Sequence, residues 1–140
     1  MIVLDTNIVL DLFVFQDPAT GPLSGKLQSG ELRWIATAPM RHELERVLAY
    51  PQIARRLQLH QHVADDVLSR FDAQVQLVAV AAKASVTCKD PDDQKFIDLA
   101  VAHQAQLLSK DHAVLCMRKR LLALGVLAQT ASAPAKAGRS

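Results

Sequence analysis

The chain opens with a short apolar run that stops on an acid. Ile2, Val3 and Leu4 favour a β-strand, and Asp5 follows them before a second apolar stretch begins at Ile8. A strand with almost nothing but apolar residues is typical of a parallel sheet that is buried on both faces. Open α/β sheets place their ligand crevice at the carboxyl edge. A carboxylate there requires a hydrogen-bond donor, a cationic partner or a metal ion, because burial removes its hydration.

Strand-like and helix-like segments alternate along the rest of the chain. Further strands are predicted at 32–37, 106–109 and 126–128, while 75–80 fits either a strand or the end of a helix. Helices are predicted at about 7–15, 23–28, 39–50, 52–59, 62–74, 91–104 and 112–124. This order predicts an α/β fold with a central parallel sheet flanked by helices.

Length and composition favour one cytoplasmic domain. A chain of 140 residues that is 50% apolar can bury a sizeable core. We predict the domain over residues 1–128 and a flexible tail over 129–140, where the residues are small and polar. Asp5 and Asp11 interrupt the first apolar stretch, so neither a signal peptide nor a membrane span is expected. Cys88 and Cys116 have no metal-type spacing, and we expect both to be reduced.

The net charge of +2 conceals an uneven distribution. Residues 112–140 carry five basic residues and no acid, whereas acids outnumber bases over residues 1–111. The basic segment favours a polyanionic partner, although Lys136 and Arg139 fit a solvated tail equally well. Arg41, Arg46, Arg55 and Arg56 either line a substrate path or form solvated or interface surfaces.

Four acids fall where they can meet at one end of the predicted sheet. Asp5 and Asp111 each follow a predicted strand. Glu43 borders the apolar stripe of the helix after the second strand, and Asp93 lies in the first turn of a later helix. Simpler roles are open for each residue taken singly. Asp111 and Asp90 are suitable helix N-caps, and Glu43 alone would most often be a solvated helix acid.

Three stretches resemble the PIN-domain ribonucleases, especially the toxins of toxin–antitoxin pairs. They are IVLDTNIVLDLF, LRWIATAPMRHELERVLAYPQIARR and CKDPDDQKFIDLAVAHQAQLLSKDHAVL, and the similarity spans residues 1–124. The resemblance implies a three-layer sandwich in which Asp5, Glu43, Asp93 and Asp111 are the catalytic ligands of Mg²⁺ or Mn²⁺. It gives supporting positions to Asn7, Ser109, Asp90 and Asp92. The segment after Leu127 departs from the family pattern, which ends in a Pro-containing stretch and an aromatic residue.

Further expectations follow from the same resemblance. RNA would be the substrate, water the nucleophile, and the products would carry a 5′-phosphate and a 3′-hydroxyl. A cognate antitoxin and a second copy of the chain are the expected protein partners. Leu10, Phe13 and Phe15 either serve a homodimer or belong to the core. Four neighbouring carboxylates repel one another unless a cation compensates them, and an oxygen-only set suits Mg²⁺ or Mn²⁺.

Two other functions are compatible with these residues. A phosphatase or phosphotransferase would use Asp5 as its nucleophile, although the usual second Asp is replaced by Asn7. A non-catalytic module would keep the fold and bind RNA or protein. The histidines His60, His62 and His112 lack the spacing of a shared metal site, so we expect them on the surface.

Overall fold

The computed structural model describes residues 1–131 and contains a five-stranded sheet surrounded by helices. The strands are β1 (Ile2–Leu4), β2 (Trp34–Ala36), β3 (Val75–Leu77), β4 (Gln106–Leu108) and β5 (Ala128–Gln129). The helices are α1 (Thr6–Phe13), α2 (Gly21–Ser29), α3 (Ala38–Leu48), α4 (Pro51–Leu59), α5 (Ala64–Gln74), α6 (Gln94–His103), α7 (His112–Leu115) and α8 (Arg118–Ala123). Short 3₁₀ turns cover Pro18–Thr20 and Pro91–Asp93.

The sheet is parallel at every pairing, in the order β3-β2-β1-β4-β5. The chain moves outward from β1 to β2 and β3, then returns to place β4 on the other side of β1. Because crossovers are right-handed, this reversal puts helices on both faces of the sheet. It also creates a topological switch point between β1 and β4, where open α/β folds bind their ligands. The predicted α/β sandwich is therefore confirmed.

The core is built mainly from the central strands and the helix faces that cover them. Ile2, Val3 and Leu4 are fully or almost fully buried, as predicted for a central strand. Trp34 of β2 packs edge-on against Phe71, with their ring centroids 5.2 Å apart. Phe13 contacts the same indole, and Leu10 is also buried, so both belong to the core as one of the two alternatives expected.

The predicted helix over 112–124 is wrong in one respect, because the structure divides it into α7 and α8. A continuous helix would direct the amide of Met117 to the carbonyl of Ala113. Instead that amide donates to Val114 at 2.9 Å. The Ala113 carbonyl accepts hydrogen bonds from two thiols, those of Cys88 at 3.3 Å and Cys116 at 3.5 Å. Both cysteines are free.

The last strand lies slightly later than the predicted 126–128. The Val126 amide still bonds to Leu121 of the preceding helix at 2.9 Å, so sheet pairing begins beyond it. Ala128 pairs with Leu107, and Gln129 pairs with Leu108. Gln129, the first residue of the predicted tail, is thus part of the sheet. The rest of the predicted tail from residue 132 onward, including Lys136 and Arg139, lies outside the described residues.

The segment 75–80, which the sequence left open, begins with the edge strand β3. Residues 78–90 then run without helix or strand and return the chain to the sheet. The Asp98 carboxylate accepts from the Ala84 amide at 2.8 Å, and the Gln94 amide bonds to both Val86 and Cys88. The side chains of Asp98 and Gln94 in α6 therefore fix the position of the segment that leads to Asp90. Within residues 1–131, none of the helices has the length and apolar character needed to span a membrane.

Candidate active site

Acidic side chains converge at the carboxyl ends of β1 and β4, the switch point of the sheet. Asp5 follows β1, and Ser109 and Asp111 follow β4 in the register that pairs Leu4 with Leu108. Asp93 arrives from the turn before α6, a helix that packs against both strands. The topology thus brings together residues that are more than 100 positions apart in the sequence.

Asp5 is the most deeply buried acid of the site, with only 3% of its surface exposed. Its Oδ1 accepts a hydrogen bond from the Ile8 amide at 3.0 Å, and its Oδ2 accepts one from the Ser109 hydroxyl. Burial raises the pKa of Asp5, and the nearby carboxylates Asp111 and Glu43 raise it further, while the two hydrogen bonds act in the opposite direction. Each oxygen of Asp5 therefore has a protein donor.

Ser109 links two of the acids. Its hydroxyl donates to Asp5, and the same oxygen accepts from the Asp111 amide at 3.0 Å. Ser109 is completely buried, so water cannot replace either bond without a rearrangement. The direction of the hydroxyl proton is fixed by these contacts, because an amide can only donate. Ser109, for which a supporting role was predicted, thus joins Asp5 at the end of β1 to the segment after β4.

Asp90, Asp93 and Asp111 form a close carboxylate cluster. One oxygen from each lies within 4.8 Å of the others. Asp93 is almost buried, and its Oδ2 accepts no hydrogen bond from any donor among residues 1–131. Such an oxygen requires a proton or a cation. We refer to these three residues as the aspartate cluster.

Two carboxyl groups of the cluster compete for one proton. Burial, a hydrogen bond with Asp111 and repulsion from Asp111, Asp90 and Asp5 raise the pKa of Asp93 to about 8. The same hydrogen bond, together with one from the Ala113 amide, lowers the pKa of Asp111. Without a cation, the pair of Asp93 and Asp111 therefore retains one proton at neutral pH. A divalent cation would replace this shared proton.

Glu43 lies beside these acids with two partners of its own. Its Oε2 accepts from the Thr6 hydroxyl at 2.6 Å, and its Oε1 forms an ion pair with Lys95. Only 16% of the Glu43 side chain is exposed, so the solvated alternative is wrong. Glu43 is not a member of the aspartate cluster, although it lies close enough to influence the pKa of Asp5.

The capping alternatives for Asp90 and Asp111 are confirmed, but capping uses only part of each side chain. Asp90 Oδ1 accepts from the Asp92 amide at 3.0 Å, and Asp111 Oδ1 accepts from the Ala113 amide at 2.9 Å. Both carboxylates belong to the aspartate cluster as well. Two of the predicted supporting residues, Asn7 and Asp92, are exposed and lie outside that cluster.

Two partners of Glu43, Thr6 and Lys95, were not identified from the sequence. Lys95 lies in the first turn of α6, where the helix dipole disfavours a positive charge. A lysine in this unfavourable position, two residues after the candidate acid Asp93, could have indicated an ion pair with an acidic residue. Thr6 carried no signal, because the sequence alone does not bring the start of α1 next to α3.

Other candidates from the sequence are on the surface or have partners outside the aspartate cluster. His60, His62 and His112 are exposed, as expected. Arg41 forms a two-bond ion pair with Asp72, at 2.7 and 2.8 Å. The guanidinium of Arg56 lies 5.2 Å from the ring centroid of Phe15. The structure therefore gives Arg41 and Arg56 partners within the fold.

Comparison with protein families gives one match. A family model described as a PIN domain matches residues 1–113, which include Asp5, Glu43, Asp93 and Asp111. A search of curated proteins finds no match to the chain. The matched segment ends two residues after Asp111, at the point where the last acid of the site has been supplied.

Proposed function

The chain belongs to the PIN-domain family, whose members are generally nucleases, and on that premise we propose that it is a metal-dependent endoribonuclease. The observation that carries the proposal is the buried Oδ2 of Asp93, which has no hydrogen-bond donor among residues 1–131 and belongs to a residue of the aspartate cluster. A metal-dependent nuclease needs an anionic site that binds a divalent cation. The cation then allows this acidic site to bind the negatively charged phosphodiester.

The donor set fits Mg²⁺ or Mn²⁺. Every candidate ligand is a carboxylate oxygen, and hard divalent cations prefer such ligands to sulfur or imidazole. Asp90, Asp93 and Asp111 would hold the cation, since one oxygen from each lies within 4.8 Å of the others, and Asp5 and Glu43 would complete the set. A cation bound there supplies activation of water and stabilisation of charge on the phosphate.

The protein's own contribution is to fix the acids before substrate arrives. The Ile8 amide and the Ser109 hydroxyl orient Asp5, while the Ala113 amide orients Asp111. Asp93 lies at the end of a 3₁₀ turn that begins with Pro91, and its amide donates to the Asp90 carbonyl at 3.1 Å, which fixes its backbone. Preorganised carboxylates lose little entropy when they bind a cation and a phosphodiester.

The two alternative functions receive less support. A nucleophilic Asp5 would need an accessible oxygen, but the residue is 3% exposed and both oxygens accept hydrogen bonds. A non-catalytic module would have no need for a buried Asp93 oxygen that lacks a donor within residues 1–131. The family match agrees with hydrolysis of a nucleic acid.

Cleavage of a fluorescent single-stranded RNA tests the proposal. We expect cleavage with Mn²⁺ or Mg²⁺, loss of cleavage with EDTA, and loss by at least about 100-fold in Asp93→Asn, since a direct ligand would be removed. Asp65→Asn changes an exposed acid of α5 and is the matched control. Cleavage that persists in EDTA or in Asp93→Asn would refute the proposal.

We further propose that the enzyme is the toxin of a toxin–antitoxin pair, acts in the cytoplasm, and assembles as a homodimer with a cognate antitoxin. The support is the resemblance of residues 1–124 to that branch of the family. Growth arrest on induction, relieved by Asp93→Asn, would support a toxin. Light scattering measures the oligomeric state, and growth that continues normally despite active enzyme would contradict the toxin role.

A further inference from the structure

Lys95 is a cationic side chain that contacts one of the proposed ligands directly. Its ammonium forms an ion pair with Glu43 Oε1 and donates to the Asp92 carbonyl at 2.6 Å. The side chain is 28% exposed, against 16% for Glu43. This ion pair is therefore partly withdrawn from solvent, which strengthens the attraction between the two charges.

The surroundings of Lys95 make this position costly without Glu43. The ammonium is in the first turn of α6, where unpaired backbone N–H groups oppose a positive charge. Glu43 is in turn held by Thr6 through its other oxygen. Lys95, Glu43 and Thr6 thus connect α6, α3 and the start of α1 around the acidic site.

We propose that Lys95 is a positioning residue that holds Glu43 at the edge of the site and competes with a divalent cation for its carboxylate. The inference rests on the proposed metal-dependent function. In the metal-free protein, Lys95 neutralises the charge of Glu43. When a divalent cation uses Glu43, the ion pair with Lys95 weakens, so part of the affinity for the cation is spent on displacing the lysine.

Titration calorimetry with Mn²⁺ measures this competition. We expect Lys95→Met to tighten Mn²⁺ binding about fivefold, because a competing positive charge is removed from a partly buried ligand. Lys95→Arg retains the charge and should stay within about twofold of wild type. Lys119→Met removes an exposed lysine of α8 and controls for net charge.

A double-mutant cycle shows whether Lys95 acts through Glu43. Glu43→Gln should weaken Mn²⁺ binding while the aspartates keep it measurable, and adding Lys95→Met to it should cause no further change. Thermal unfolding of the metal-free proteins gives a second readout. Lys95→Met should lower the melting temperature in the wild-type background but not in the Glu43→Gln background. If Lys95→Met does not fold, Lys95→Gln takes its place in both measurements.

The outcomes separate this inference from the proposed function. If the wild type binds no Mn²⁺ and cuts no RNA, the proposed function fails and the competition fails with it. If the wild type binds Mn²⁺ and cuts RNA, but Lys95→Met binds Mn²⁺ equally or more weakly, only the role of Lys95 is overturned. Tightening that persists in Glu43→Gln overturns it as well, because Lys95 would then act independently of Glu43.

Discussion

The two halves of the acidic site satisfy their carboxylates in different ways. Asp5 and Glu43 each have a protein donor on both oxygens, supplied by backbone, hydroxyl and ammonium groups. The aspartate cluster has fewer donors, and Asp93 keeps a buried oxygen with none among the described residues. The protein alone therefore satisfies the carboxylates of the first half, Asp5 and Glu43. The carboxylates of the second half, the aspartate cluster, are satisfied only when a proton or a cation is bound.

The largest expected effect comes from removing the acid without a donor. Asp93→Asn should weaken Mn²⁺ binding by about 100-fold or more, since even changes next to a metal ligand cost 10–100-fold. The metal-free variant should be at least as stable as wild type, because the new amide can donate to Asp111 without taking up a proton on folding. Calorimetry and thermal unfolding in EDTA measure the two effects. A marked loss of stability would show that Asp93 has a structural role instead.

Ser109→Ala should mainly reduce stability, whereas Asp93→Asn should mainly reduce Mn²⁺ binding. Removal of the hydroxyl leaves Asp5 Oδ2 and the Asp111 amide without a partner, and an unsatisfied buried group costs about 1–3 kcal/mol. Denaturant unfolding should show this loss in free energy, with a smaller decrease in Mn²⁺ affinity. Ser69→Ala, on the exposed face of α5, is the control. Unchanged stability would mean that the donors around Asp5 do not stabilise this half.

The same difference explains what the sequence could predict. The alternation of apolar runs and helices indicated the sheet, and the strand-end acids Asp5 and Asp111 indicated its functional edge. These features depend on the local pattern of apolar and polar residues, which can be identified from neighbouring residues in the sequence. The partners of Glu43 depend on how α3, α6 and α1 approach one another, so Thr6 and Lys95 could not be assigned.

The boundary errors near the carboxyl-terminal end have a similar origin. The division between α7 and α8 follows from the Ala113 carbonyl, which accepts two thiols, one of them from the distant Cys88. No helix-breaking proline or glycine marks that position in the sequence. A tertiary hydrogen bond from Cys88 therefore accompanies the break in a local pattern that was favourable to one continuous helix.

The smallest expected effect is a dependence of stability on pH in the metal-free protein. The folded state raises the pKa of Asp93 to about 8, so between roughly pH 4 and pH 8 it holds a proton that the unfolded chain has released. Stability should therefore be greatest at the lower end of this range and decrease as the pH rises toward 8. The change in stability is at most about 1.4 kcal/mol per pH unit, because one proton is released. The pKa of Asp111 is lowered from its usual value, so that group titrates below this range.

Melting temperatures measured from pH 5 to pH 8 in EDTA test this dependence. The wild type should lose stability across the range, and Asp93→Asn should lose less, since it has no carboxyl group at that position to release a proton. Saturating Mg²⁺ should reduce the slope in the wild type, because a bound cation takes the place of the proton. If the slope is the same in Asp93→Asn, the proton is held elsewhere, and the two halves of the site would not differ in the way described.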